Sequence, residues 1–249
     1  MAEGKPVAAW DAKGLAAPHM QPDKARRVRS MFDAIAPTYE MVNCLASAGR
    51  DAAWRRAMVC AAGVRADDTL LDVACGTGDV CRAFSCAAPA PRRIVGVDFA
   101  GEMLRFALPR SNGTTRWCQA DAAALPFADA SFSLVTCAFG IRNFQNLEEG
   151  LREMWRVLQP GGRAVLLEFG MPSAPGLRSL YRFYFTCVMP LAASILSRDR
   201  SGAYRYLPQS VLSFPGRAGV VASLRRVGFA AVDVVPLTLG IVSVYRARK

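Results

Sequence analysis

An apolar run that ends in a glycine-rich turn, Thr69-Leu-Leu-Asp-Val-Ala-Cys-Gly-Thr-Gly-Asp79, is followed by a second apolar run that ends in a lone acid, Ile94-Val-Gly-Val-Asp98. Strand, tight turn, helix and strand in this order build the nucleotide cradle of a doubly wound α/β sheet. Glycines let the backbone approach a ligand, and the acid binds a ribose diol. Gly76 and Gly78 supply the turn, and Asp98 lies 20 residues beyond Gly78. A dinucleotide fingerprint needs a third glycine at position 81, where Cys81 stands. S-adenosylmethionine (SAM) has no pyrophosphate to seat on the helix but carries an ammonium group, and Asp72 at the end of the first strand is placed to meet that cation. The turn with both acids favours SAM; an ordinary strand-to-helix turn is the plain alternative.

Strand and helix patterns alternate onwards from this cradle: strand 69–74, helix 79–87, strand 93–98, helix 101–108, strands 115–119 and 132–138, helix 146–158 and strand 163–169. Pro160-Gly161-Gly162 reads as the stop of the 146–158 helix. Two helices, 24–46 and 51–62, precede the first strand, and a helix near 216–227 leads into strand-like runs 230–236 and 240–246. The pattern predicts a Rossmann-like, doubly wound α/β fold: a mainly parallel seven-stranded sheet with helices on both faces and a C-terminal hairpin at one edge. Residues 1–23, without periodicity, read as a mobile tail, and 24–249 as one domain.

Eight cysteines form no CxxC pair, and several fall in apolar runs, which reads as buried thiols in a reducing compartment. One histidine, His19, lies in the Pro-flanked N-terminal segment, so no metal site is expected. The N-terminus lacks the apolar core of a signal peptide, and a cytoplasmic protein is expected. A net charge of +11 suits nucleic acid, an anionic membrane surface or simple solubility. The basic residues are dispersed, without a long run or an Arg/aromatic repeat, which disfavours nucleic acid and leaves peripheral contact with anionic lipid at the inner face of the membrane. Phe183–Ser197 is apolar but only 15 residues long and holds Pro190, too short to span a bilayer. The 176–196 segment reads either as core packing or as a groove for an apolar ligand, and an exposed apolar helix would also suit a homodimer.

The ligand of an open α/β sheet lies outside the carboxyl ends of its strands. One such end carries Asp121, which either accepts from an adenine amino group or caps the following turn. Another carries Arg142 and Asn143 after Gly140, a cation and an amide at the pocket mouth, although Asn143 also suits a helix cap. Glu168 ends the next strand and either points into the pocket or begins a surface loop. No histidine is available as a general base and no Ser-His or Cys-His pair can be built. Methyl transfer from a sulfonium needs neither; it needs alignment, desolvation and an electron-rich acceptor. An Arg would stabilise the anion of a deprotonated phenol or quinol hydroxyl.

These residues resemble the UbiE-type C-methyltransferases of ubiquinone and menaquinone biosynthesis over residues 30–249. The resemblance rests on Met31–Tyr39, Ala74-Cys-Gly-Thr-Gly-Asp79, Ala120–Phe127, Phe139-Gly-Ile-Arg-Asn143, Arg156–Gly162, Leu167-Glu-Phe169, Tyr204-Arg-Tyr-Leu207, Phe214-Pro215 and Leu237–Ile241. It implies SAM contacts at Thr77, Asp98, Asp121 and Ala122, and a substrate pocket near Tyr39, Arg142 and Asn143. Arg142 would orient a water or assist proton removal. Ala138 stands where many members place a serine near the cofactor, and Gly49–Trp54 keeps its ends but not the usual residues between. The expected reaction is C-methylation of a polyprenylated quinol, demethylmenaquinol first and a benzenoid ubiquinone precursor second. Its rivals are methylation of a different small molecule, such as a sterol or polyketide, and a non-catalytic scaffold of this fold.

Overall fold

The computed structural model describes residues 10–110, 113–189 and 202–249. Seven strands form one sheet: β1 (Thr69–Val73), β2 (Arg93–Asp98), β3 (Thr115–Gln119), β4 (Phe132–Ala138), β5 (Leu158–Phe169), β6 (Ala231–Leu237) and β7 (Val242–Arg248). Their order is β3-β2-β1-β4-β5-β7-β6. The first five are parallel, and β7 runs antiparallel between β5 and β6. Chain order reverses between β1 and β4, which places the ligand crevice over the carboxyl ends of those two strands. Leu70, Leu71, Leu134, Val135, Leu166 and Leu167 are fully buried along the central strands, as expected where helices cover both faces.

The helices are α1 (Ala12–Ala16), α2 (Lys24–Ile35), α3 (Tyr39–Ala46), α4 (Asp51–Ala62), α5 (Asp79–Ser85), α6 (Gly101–Ala107), α7 (Leu147–Val157), α8 (Pro175–Phe183), α9 (Ala203–Leu212) and α10 (Arg217–Val227). No helix among the described residues is long and apolar enough to cross a membrane.

The structure corrects three expectations. The 24–46 segment is two helices, because Pro37 forces a 3-10 turn over Ala36–Thr38. Gly161 and Gly162 do not end α7, which stops at Val157. They lie in a bulge of β5, where the register with β4 jumps from Phe132↔Leu158 to Leu134↔Arg163. Residues 10–23 are not a free tail: Trp10 is buried and stacks on Tyr206 with ring centroids 4.6 Å apart, and His19 Nε2 lies 2.9 Å from the Ser210 carbonyl oxygen. Scattered contacts rather than a repeated apolar face hold this segment, so no periodicity announces it; residues 1–9 lie outside the described residues. The 176–196 segment is α8 extended by a π-helical turn, Tyr184–Val188, and residues 190–196 lie outside the described residues.

Candidate active site

Two adjoining cavities open at the switch point. The first, about 650 Å³, lies over β1, β2 and β4 and is lined by Gly76, Asp98, Asp121, Ala122, Ala138 and Asn143 among others. The second, also about 650 Å³, is lined by Asp51, Trp54, Arg142, Phe169 and Tyr206. Phe32, Tyr39 and Phe139 line both and form the partition. The kink at Pro37 sets Tyr39 there, at the first residue of α3. Burial raises the pKa of the Tyr39 phenol, which keeps its proton at neutral pH.

The glycine turn is built for close approach. Gly78 adopts φ +84°, and a Cβ on it would fall 2.5 Å from the Trp117 ring, which lies across it from β3. Gly140 lets the ends of β1 and β4 meet, since a Cβ there would sit 2.7 Å from that of Ala74. The Gly76 amide donates to Asp98 Oδ2 at 2.8 Å, while Asp98 Oδ1 accepts from the Ala100 amide at 2.9 Å. That amide is therefore turned to a carboxylate rather than to a phosphate. Burial raises the Asp98 pKa to about 6.

Asp72 does not line the cavity. Alternation along β1 turns Val73 to the cavity and Asp72 to α5. Its carboxylate accepts from Thr136 Oγ1 at 2.7 Å and from Cys81 Sγ at 3.5 Å, so Cys81 supports the acid from below. Thr77 is likewise buried outside the cavity, its hydroxyl donating to Glu40 Oε1 of α3 at 3.4 Å. Asp121 is exposed and lines the cavity, but its Oδ1 also accepts from the Ala123 amide at 2.9 Å, so the cap and the ligand contact coexist on one side chain.

Burial lifts the Asp72 pKa to about 7. The native state then holds this proton more tightly than the unfolded chain. The stability it contributes is complete below about pH 4 and is lost as pH rises through about 7. Asp72→Asn should remove up to about 4 kcal/mol of that decline. Chemical denaturation from pH 4 to 8 checks this: the wild-type curve falls with pH more than the variant curve, and parallel curves contradict it.

Arg142 is not at the mouth but inside. It is 6% exposed, and its Nη1 donates to Glu168 Oε1 at 2.8 Å and to the Phe139 carbonyl at 2.5 Å. Glu168, fully buried, neither begins a surface loop nor lines either cavity; it holds the arginine. Arg142 Nε is buried with no hydrogen-bond partner. Asn143 Nδ2 donates to the same Phe139 carbonyl at 3.2 Å and its Oδ1 accepts from the Tyr206 hydroxyl at 3.1 Å. This loop is tied to α2 by Lys24, which donates to the Phe144 carbonyl, and by the Ala25 amide, which donates to Gln145 Oε1 at 2.8 Å.

Asp51 and Tyr206 are the residues that sequence reasoning missed at this site. The Tyr204-Arg-Tyr-Leu207 segment signalled Tyr206 only as a mark of resemblance, and nothing local marks Asp51.

The first cavity suits a nucleoside without phosphates. No lysine or arginine lines it, Asp98 and Asp121 offer acceptors for hydroxyl and amino groups, and Val97, Phe99 and Met103 give apolar walls for a purine. The sequence profile of the ubiE/COQ5 methyltransferase family matches residues 20–249. The chain belongs to that family. It is 44% identical over 210 residues to a demethylmenaquinone methyltransferase of Deinococcus radiodurans, covering 83% of this chain and 86% of that one. It is 40% identical over 232 residues to a ubiquinone/menaquinone biosynthesis C-methyltransferase of Geotalea daltonii, covering 91% and 98%. In fold it resembles a SAM-dependent methyltransferase of Thermotoga maritima, with TM-score 0.61 at 17% identity over 88% of this chain and 98% of that one. This ubiE/COQ5 family member is a SAM-dependent methyltransferase, and SAM is its cofactor.

Proposed function

We propose that the protein methylates a ring carbon of a polyprenylated quinol in quinone biosynthesis, with demethylmenaquinol as the acceptor. It would work in the cytoplasm at the inner face of the membrane. The observation that carries this reading is the second cavity, an aromatic chamber holding one buried cation with a free donor. Trp54, Phe139 and Phe169 form its wall, the last two with centroids 4.5 Å apart, and a flat bicyclic ring stacks well against such a surface. The Arg142 guanidinium lies 5.4 Å from the Phe169 ring, so a ring stacked there has its oxygen beside the unpartnered Nε. The names of the Deinococcus and Geotalea relatives support the same acceptor class, the second covering the benzenoid acceptor as well.

Gly76, Asp98, Asp121 and Ala122 would hold SAM, which supplies an electrophilic methyl group. This chain's residues prepare the acceptor. A quinol hydroxyl has a pKa near 10, like Tyr, so its deprotonation at neutral pH needs both a proton acceptor and a cation. Asp51 is the one carboxylate lining the second cavity among the described residues. Its Oδ2 accepts from Arg55 Nη2 at 2.6 Å and its Oδ1 from Ser47 Oγ at 3.3 Å, which fix its direction and leave lone pairs free. In this scheme Asp51 takes the hydroxyl proton and Arg142 stabilises the oxyanion whose charge spreads to the ring carbon. Asn143 and Tyr39 close the wall between the cavities and exclude water.

Asp51→Asn should lower kcat about 10²–10⁴-fold at neutral pH with SAM affinity unchanged, and the deficit should shrink as pH approaches the quinol's own pKa. An unchanged kcat in steady-state assays removes Asp51 from the scheme. The function itself is tested by supplying SAM with reduced demethylmenaquinone or a demethylated benzenoid precursor and identifying the product by mass spectrometry. Methylation of the naphthoquinol supports the proposal, methylation of the benzenoid ring alone shifts it to the second acceptor, and methylation of neither sinks it.

A further inference from the structure

A third cleft, about 920 Å³, opens on the surface between the end of β5, α8 and the turn from α9 into α10. Arg178, Arg182 and Arg217 line it, with no acidic residue among its walls in the described residues. Arg178 donates to the Pro172 carbonyl and Arg217 to the Ser173 hydroxyl, while Arg182 has no side-chain partner among the described residues. Among the described residues none of the three forms a salt bridge, although most acidic side chains there are paired with an arginine.

Large apolar side chains also stand exposed on α8 and on the turn that packs against Arg217. Leu180 and Phe183, one helical turn apart on α8, are 65% and 60% exposed. Leu239 is 76% exposed at the tip of the β6–β7 turn, whose Gly240 packs against the Arg217 guanidinium. Leu239 holds a left-handed backbone conformation, φ +57°, an unusual setting for a leucine turned to solvent. Exposed apolar side chains and arginines without a carboxylate partner, carried by one helix and the turns next to it, suit a lipid interface, with phosphates for the cations and acyl chains for the apolar groups.

The cleft also leads inward. Phe169 lines both this cleft and the second cavity, and Leu207 of that cavity is followed one turn later on α9 by Val211 of the cleft. The Phe169 side chain therefore stands between the arginine-ringed opening and the aromatic chamber.

We infer that this face docks on an anionic phospholipid bilayer and that the cleft is the portal through which the isoprenoid tail of the acceptor passes. The portal half of this inference rests on the polyprenylated acceptor proposed above; the docking half does not. Arg178, Arg182 and Arg217 hold lipid phosphates, and Leu180, Phe183 and Leu239 enter the interface. The tail leaves the chamber past Phe169 while its headgroup stays beside Arg142.

The test is flotation of the purified full-length protein with phosphatidylcholine vesicles made with and without phosphatidylglycerol. Wild-type protein should float with the anionic vesicles and not with the neutral ones, and added salt should release it. Arg178→Ala with Arg182→Ala should weaken binding about fivefold for each arginine removed. Leu180→Ser with Phe183→Ser should weaken it at least tenfold. Thermal melting of each variant separates loss of docking from loss of fold. With the acceptor embedded in anionic vesicles, both variants should raise KM and leave kcat near wild type. Vesicle binding that the variants do not change overturns the docking surface. So does a dimer in light scattering that Phe183→Ser dissociates while no vesicle binding is seen. Vesicle binding needs no methyl acceptor, so failure of the acceptor assignment leaves this arm intact and readable.

Discussion

Replacing Arg142 and Glu168 together by glutamine should reduce kcat about 10²–10³-fold while SAM affinity changes by no more than a few-fold. Arg142 lines the second cavity and not the first, so in the proposed scheme its removal acts on the quinol alone. The double replacement is needed because the two charges share a buried site: the arginine side chain is 7% exposed and the glutamate 0%. Arg142→Ala alone leaves a buried carboxylate without its cation, at a cost of about 3–5 kcal/mol, and confuses unfolding with lost catalysis. Arg142→Lys keeps the charge, but an ammonium held by the Phe139 carbonyl and Glu168 puts no donor at the position of the arginine Nε. It should fold and still lose most of the rate. Single-turnover kinetics with isothermal titration of SAM checks both statements. A double variant that turns over at the wild-type rate removes Arg142 from the chemistry.

Asp98→Ala should weaken SAM binding about 100-fold or more, the largest effect expected at the cofactor cavity. Hydrogen bonds to an ionised carboxylate contribute about 1.5–3 kcal/mol each. The substitution takes away the acceptor for the ribose hydroxyls and also frees the Gly76 amide, so the turn itself loosens. The pH dependence carries the same signature. Burial holds the Asp98 carboxyl at about 6, so below that pH a proton competes with the cofactor for its oxygens. The wild-type Kd for SAM should be flat above about pH 6.5 and rise as pH falls below 6. Asp98→Asn should bind weakly at every pH and lose that rise. Titration calorimetry from pH 5 to 8 reads it, and a wild-type Kd that stays flat across the range contradicts the assignment.

The strands of the cradle were legible because each is an apolar run bounded by Gly, Pro or charge, and a doubly wound order follows from their alternation. The strand-end positions of Gly76, Asp98, Asp121 and Arg142 were legible for a related reason: a parallel sheet collects its strand ends on one edge, where the crevice of such a fold opens. Facing direction was less legible. Asp72 lies at a strand end too, but alternation along β1 turns it to α5, and only the register fixes which face a residue takes. Partners far apart in the chain were not legible at all. Glu168 pairs with Arg142, and Tyr206 bonds Asn143, through a sheet crossing and a helix packing that no local pattern encodes. The burial of Trp10 and the bulge at Gly161-Gly162 belong to the same class: each depends on one long-range contact that outweighs a local propensity.

In the function proposed above, the two cavities bring SAM and a polyprenylated quinol together for carbon methylation. Incubating the protein with SAM labelled at its methyl carbon and reduced demethylmenaquinone, then locating the label by NMR of the purified quinone, tests it most directly. One labelled methyl is expected on the ring carbon of the naphthoquinone, with Arg142→Gln/Glu168→Gln yielding almost none. Label on a quinol oxygen, or no label in any quinone while SAM binds normally, would contradict it.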